Sequence, residues 1–205
     1  MQPLTQAERE RVLAAIADAE ERSEAEFAVA VAGSADRYPE IRLLAPALIA
    51  VLAPPLALAT GAVVDPLWLA IIPAAFFILL SAILLPDAVA VRLTPTRLRD
   101  ERARRLARTL FMDLGLTTPR DRAGVLLFIA RAERQVEILA GAGVAERIDS
   151  TDWQRVVTRF VEAARIRPLA DALTAAIEDS TALLSKAFPP SDRNPDEVPN
   201  RLIEL

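Results

Sequence analysis

Two stretches without a charged side chain constrain this sequence more than any other feature in it. Leu43 to Val64 covers 22 positions and Pro66 to Pro86 another 21, each close to the roughly 20 residues an α-helix needs to cross the hydrocarbon of a bilayer. The pair predicts an inserted transmembrane helical hairpin over 43–91, joined at Val63-Val64-Asp65-Pro66. The second run is the stronger span, with Trp68 at the level of an interfacial aromatic. The first carries Pro46 and Pro54-Pro55, which predict a kink and freed carbonyls. A buried hairpin of a soluble protein is the competing reading, and two consecutive runs of this length weigh against it. A cleaved leader does not suit a stretch that follows an acidic, structured-looking segment and is followed at once by a second span.

Charge sets the expected orientation. The net charge of −4 divides into −4 over 1–42, −2 over 43–91, +5 over 92–122 and −3 over 123–205. The connection between the spans has no arginine, whereas Arg92, Arg97, Arg99, Arg102, Arg104, Arg105 and Arg108 follow the second. Cytoplasmic loops carry the excess of arginine and lysine, so the expectation is a two-pass inner-membrane (plasma-membrane) protein with both termini cytoplasmic. Two crossings leave both flanks on one side, free to form a single domain.

The flanks read as α/β. Thr5 to Glu8 has capping-box spacing, and Val12, Leu13, Ile16 and Ala19 follow on one helical stripe. Residues 26–32 alternate Phe27, Val29 and Val31 with alanines, as in a strand covered by helices. Arg97 to Leu114 is a basic amphipathic helix. Its arginines are candidates for anionic headgroups, or they merely mark topology on an ordinary domain helix. The continuous apolar run 124–130 predicts a central strand, and 135–140 one returning beside it. Two further helices follow, one from the caps at Asp149 to Asp152 and one from Pro168. Pro189-Pro190 ends the second, and an extended tail with an anchoring end, Leu202-Ile203-Glu204-Leu205, completes the expectation. The fold class is therefore α/β, a small sheet packed by helices with an inserted hairpin.

Leu110-Phe111 through Leu114-Gly115-Leu116, then Asp121-Arg122-Ala123-Gly124-Val125-Leu126-Leu127, the strand Arg134-Gln135-Val136-Glu137-Ile138 and Gly141-Ala142-Gly143-Val144 resemble the TPM domain. The first flank does so as well, from Leu4-Thr5 through the strand Phe27 to Val31. The resemblance covers nearly all of the chain outside 43–91, on short motifs in the right order. It divides the chain into a TPM-like helix and strand (1–42), the hairpin (43–91), the remainder of the domain (92–188) and a tail (189–205). It implies an α/β sandwich of a kind found in bacterial membrane proteins, thylakoid proteins and animal receptor-associated proteins, with a phosphatase label and divalent-metal binding in some members. The usual layout places a signal peptide before the domain and an anchor after it. Here the anchor falls inside, as in a short bacterial variety, which puts the usual extracytoplasmic location in question.

Without histidine or cysteine there is no Ser-His-Asp triad, histidine zinc site or thiolate chemistry. A hairpin centred near Ala132-Glu133 sets Gly124 opposite Gly141 and brings Asp121 toward Gly143, Asp149 and Asp152. Asp121 matches the family's acidic residue before the second strand. Asp121, Asp149 and Asp152 are accordingly the candidate ligands for Ca2+ or Mg2+, which prefer oxygen donors, and Gly141 and Gly143 the candidate approach for a ligand. The ordinary alternatives are helix caps for the acids and a tight turn for the glycines. No catalytic residue stands out. Two functions remain: a non-enzymatic interaction or scaffold protein at the membrane, or a metal-dependent phosphatase-like hydrolase. The expected partners are the lipid bilayer, as contacted by Arg97, Arg99, Arg102, Arg104, Arg105 and Arg108, and another membrane protein. No nucleic-acid module or nucleotide loop is present to suggest otherwise.

Overall fold

A computed structural model gives the architecture, and the residues it describes are 4–61, 65–117, 123–190 and 201–205. The elements run α1 (Gln6–Glu21), β1 (Glu26–Ala32), a π-helical turn (Glu40–Leu44), α2 (Ala45–Ala59), α3 (Pro66–Ile83), α4 (Asp87–Leu93), α5 (Thr96–Asp113), β2 (Gly124–Ala130), β3 (Gln135–Ala140), α6 (Ala142–Arg147), α7 (Ser150–Ile166), α8 (Leu169–Ala187) and β4 (Arg201–Glu204). They form two compact units, one of residues 1–33 and 103–205, the other of Ser34–Arg102.

The first unit is built on a mixed sheet of order β3-β2-β1-β4. β1 runs parallel to β2 and β4, and β2 pairs antiparallel with β3. All seven positions of both β1 and β2 are buried, the burial expected of parallel strands covered on both faces. On one face Phe27, Val29, Val31, Val125, Leu127 and Ile129 join a core with Val12 and Ile16 of α1, Trp153 and Phe160 of α7, and Leu173 and Ile177 of α8. Each large side chain fully buried there is worth about 1.5–3 kcal/mol relative to exposure. On the other face Phe128 is paired across strands with Glu137, and Glu137 accepts from Arg104 Nε at 3.0 Å. Cross-strand partners point to the same face, so α5 lies over this second face, and its Ala103, Ala107 and Phe111 are buried.

Local chemistry sets the helix ends. Thr5 Oγ1 accepts from the Glu8 backbone N–H at 3.3 Å, and the Glu8 carboxylate accepts from the Thr5 N–H at 2.8 Å, a reciprocal cap that satisfies two donors of the first turn. Arg134 turns the β2–β3 hairpin at φ 56°.

The second unit contains the two apolar runs as helices. Glu40–Ala59 is a 20-residue helical stretch of mean hydropathy 2.0 and Pro66–Ile83 an 18-residue one of 2.3. Both are long and apolar enough to cross a membrane. Leu48, Val51, Leu56, Trp68, Phe76 and Leu79 are exposed along them. α2 continues through Pro54 and Pro55. At the start of α3 Asp65 accepts from the Leu67 N–H at 2.8 Å and Pro66 takes the first helical position, where its missing N–H leaves no donor unsatisfied.

The structure adds to the sequence reading at three points. The sheet has four strands, because Leu202-Ile203-Glu204 of the expected tail belongs to β4 alongside β1. Residues after Gly141 form α6 where a tight turn was the alternative. The apolar helices stop at Ala59 and Ile83, short of Val64 and Pro86, so the connection begins several residues earlier than the four-residue turn read from the sequence. Val63 and Val64 lie outside the described residues.

Candidate functional site

The acidic candidates lie where β2 begins and α7 starts. Gly141 and Gly124 are opposed across the hairpin, with the Gly141 N–H donating to the Gly124 carbonyl at 2.8 Å. Gly141 is buried and has φ −62°, a value open to any residue, and Gly143 is half-buried inside α6.

Asp149 caps α7: its carboxylate accepts from the Thr151 N–H at 2.7 Å. That backbone bond, reinforced by the Thr151 and Ser150 hydroxyls, holds the carboxyl below its ordinary range. Asp152, one turn in, is ion-paired with Arg155 of the same helix. Each acid therefore has a complete local role at a helix N-terminus, where negative charge is favoured. Asp121 lies outside the described residues. Among the described residues no three acids converge on a point able to hold an ion.

The arginines of α5 separate by position. Arg97, Arg104, Arg105 and Arg108 are exposed, and Arg104 is engaged with Glu137. Arg99 is half-buried and donates to Thr96 Oγ1 at 3.0 Å. Arg102 turns inward within the second unit. Its two terminal nitrogens donate to Asp36 and Glu40, and its guanidinium lies 5.4 Å from the centroid of the Tyr38 ring. The Glu40 bond is the largest influence raising the Arg102 pKa above its ordinary value. Tyr38 is fully buried at φ 48°, a left-handed conformation costly for an aromatic residue and sustained only by surrounding structure. Arg42 pairs with Asp87 at the start of α4. These contacts fasten the foot of α2 to the first turns of α4 and α5.

A cleft of about 590 Å³ opens between α1 and α8, lined by Arg11, Asp18, Arg167, Asp171, Thr174 and Glu178 among others. The Arg11–Asp171 ion pair at 2.9 Å lies in it. Its mixed charge specifies no ligand class.

Residues 88–183 match the family model described as TPM domain. Over that segment the chain is similar to the TPM domain. The matched segment takes in α4, α5, β2, β3, α6, α7 and most of α8, and so contains both the acidic candidates and the arginine helix. Among solved structures, the NMR structure of the BA42 protein from the psychrophilic bacterium Bizionia argentinensis is similar over 100% of this chain and 97% of that one. The TM-score is 0.62 at 16% identity, a likeness that shows the fold. No curated protein matches the chain.

Sequence reasoning missed Asp36, Tyr38 and Glu40 as a set closing on Arg102. The available signal was weak: Asp36 and Glu40 flank Tyr38-Pro39 immediately before the apolar run.

Proposed function

We propose that this chain is an integral membrane protein that holds its TPM domain at the bilayer surface as a non-enzymatic interaction module. The observation that carries the reading is the state of α2 and α3. In an 18-residue window of each, only 6% and 0% of the residues are buried, although their mean hydropathies are 2.0 and 2.3. A helix that is apolar all round requires an apolar surrounding, and a bilayer supplies one. The arginines after Ile83 orient the hairpin with both termini in the cytoplasm. The exposed face of α5 with Arg97, Arg105 and Arg108 faces anionic headgroups, at about 1 kcal/mol per basic residue. Favouring an interaction role over hydrolysis are the lack of histidine and cysteine and the engagement of Asp149 and Asp152 within their own helix.

The test is extraction of membranes with alkaline carbonate, together with a reporter fused after Leu205. The chain is expected to stay in the pellet with the reporter on the cytoplasmic side. Release into the supernatant overturns the anchor, and a periplasmic reporter overturns the orientation. Turnover of phosphate esters by purified chain, abolished by Asp121→Ala, overturns the non-enzymatic reading.

A further inference from the structure

The two edges of the sheet are built differently. β4 closes one side with four residues, charged at both ends by Arg201 and Glu204, and shortness and charge keep an edge strand from pairing further. β3 closes the other side with six, Gln135–Ala140, all half-exposed. It pairs with β2 in continuous register and carries a single charge, Glu137, neutralised by Arg104 at 3.0 Å. The strand thus lacks the proline, lysine or bulge that blunts an edge.

The phase of the β2–β3 ladder fixes which backbone groups point outward. The Gly141 N–H donates to the Gly124 carbonyl at 2.8 Å, and hydrogen-bonded pairs alternate along an antiparallel ladder. Glu137 and Leu139 therefore turn their backbone groups toward β2, and Val136, Ile138 and Ala140 turn theirs away. Among the described residues those outward groups have no partner. They recur about every 6.8 Å, the repeat of an extended chain. The side chains of Val136, Ile138 and Ala140 pack against the core while still half-exposed, so apolar side chains placed beside them would be buried. On the opposite face stands Arg104, whose side chain is 61% exposed. Its Nε serves Glu137, and its terminal nitrogens have no acceptor among the described residues. A guanidinium presents its donors as a planar fork, so a carboxylate arriving opposite Glu137 meets the free end of that fork.

We propose that the outer edge of β3 is a partner-binding edge, taking an extended segment of another protein with apolar residues at alternate positions and one carboxylate between them, facing Arg104. Main-chain bonds supply the affinity and the two faces the selection, as in other additions of a strand to a sheet edge. A second copy of β3 is a poorer occupant, because its carboxylate is already engaged by its own Arg104. A partner here rests on the interaction-module reading, for which it names the partner's chemistry, and uses only the first unit.

The probe is the peptide fluoresceinyl-Val-Thr-Val-Glu-Val-Thr-Val-amide, added to the full-length chain in mild detergent. Its anisotropy should saturate, and the amides of Val136, Ile138 and Ala140 should exchange hydrogen several-fold more slowly in its presence. Replacing the central glutamate of the peptide by lysine should weaken binding by about ten-fold, the worth of one charged hydrogen bond, and Arg104→Gln should remove that discrimination. N-methylating the two inner valines, or instead the two threonines, should abolish binding in one case and spare it in the other, because only alternate residues of an added strand turn their backbone to the edge. Absence of saturable binding at millimolar peptide overturns the proposal. Equal binding of the two N-methylated peptides, equal binding of the lysine peptide, or protection confined to other amides does so as well. A concentration-dependent dimer that protects the same amides without peptide gives the edge to a second copy and also overturns it. Phosphate-ester turnover abolished by Asp121→Ala would remove the interaction reading while leaving these binding results in place, so the two fail separately.

Discussion

A Cβ placed on Gly124 would lie 2.1 Å from the carbonyl oxygen of Leu116 and 2.9 Å from its Cα. Both atoms are backbone, and Leu116 is fully buried, so the obstruction cannot be relieved by rotating a side chain. Gly124→Ala should therefore displace the start of β2 and destabilise the first unit by about 2–3 kcal/mol, the upper part of the range for overpacking. Thermal unfolding of the detergent-solubilised chain measures this. An unchanged midpoint would show that the backbone before β2 can move aside.

Arg102 holds Asp36 and Glu40 at once while stacked on Tyr38. Replacing it with Met should cost about 1–2 kcal/mol, since charged hydrogen bonds are lost but both carboxylates are more than a third exposed and partly screened. Arg102→Lys should recover little, because an ammonium lacks the planar fork that meets two acceptors. Tyr38 is the single tyrosine of the chain, so second-derivative ultraviolet absorption reads its exposure directly. A buried tyrosine signature in both variants counts against the clamp.

Acid should weaken the first unit from its helix starts. Glu8 accepts from the Thr5 backbone and hydroxyl and is lowered from 4.5 by them, the backbone bond contributing most. Asp149 is lowered from 3.8 by the Thr151 N–H. A carboxyl whose folded pKa is depressed stabilises above its unfolded pKa and loses that contribution as pH falls through the folded value. Stability from these two groups should be intact above about pH 5 and decline below 4.5 for Glu8 and below 3.8 for Asp149. Thermal midpoints from pH 7 to pH 3 should fall less steeply in Glu8→Gln and Asp149→Asn than in the parent chain. Equal acid slopes in parent and variants would remove the caps as the cause.

The exposed arginines of α5 make a distinguishable prediction for lipid. In nanodiscs containing about 30% anionic lipid, backbone amides of α5 should exchange hydrogen several-fold more slowly than in neutral nanodiscs, as expected if basic side chains engage the surface. Arg97→Gln/Arg108→Gln should remove the difference, as should high salt. Equal exchange in both lipids would leave these arginines as topology determinants only.

Much of this fold was legible because its strands are periodic and well bounded. The runs 124–130 and 135–140 became β2 and β3, and centring their turn at Ala132-Glu133 gave the correct opposition of Gly124 and Gly141. β4 was read only as an extended anchoring end, since four half-exposed residues carry too little alternation to announce a strand. α6 has six residues, one of them Gly143, and is capped by Gly141, a composition that reads equally as a turn. The Arg102 clamp was illegible for another reason. Its acceptors lie 62 and 66 positions away, beyond any spacing rule, whereas the cap at Asp149 could be read from its place just before an apolar helical stripe.

The two tryptophans divide between the two units, Trp68 exposed on α3 and Trp153 buried on the inner face of α7, its indole nitrogen without a hydrogen-bond partner among the described residues. The molecule thus carries one intrinsic fluorophore on its apolar hairpin and one in its sheet-packed core. Brominated acyl chains quench an indole only at close range, so depth-dependent quenching would address Trp68, while the blue emission of a buried indole would belong to Trp153. Single Trp→Phe variants would separate insertion from domain unfolding by colour, without an added label.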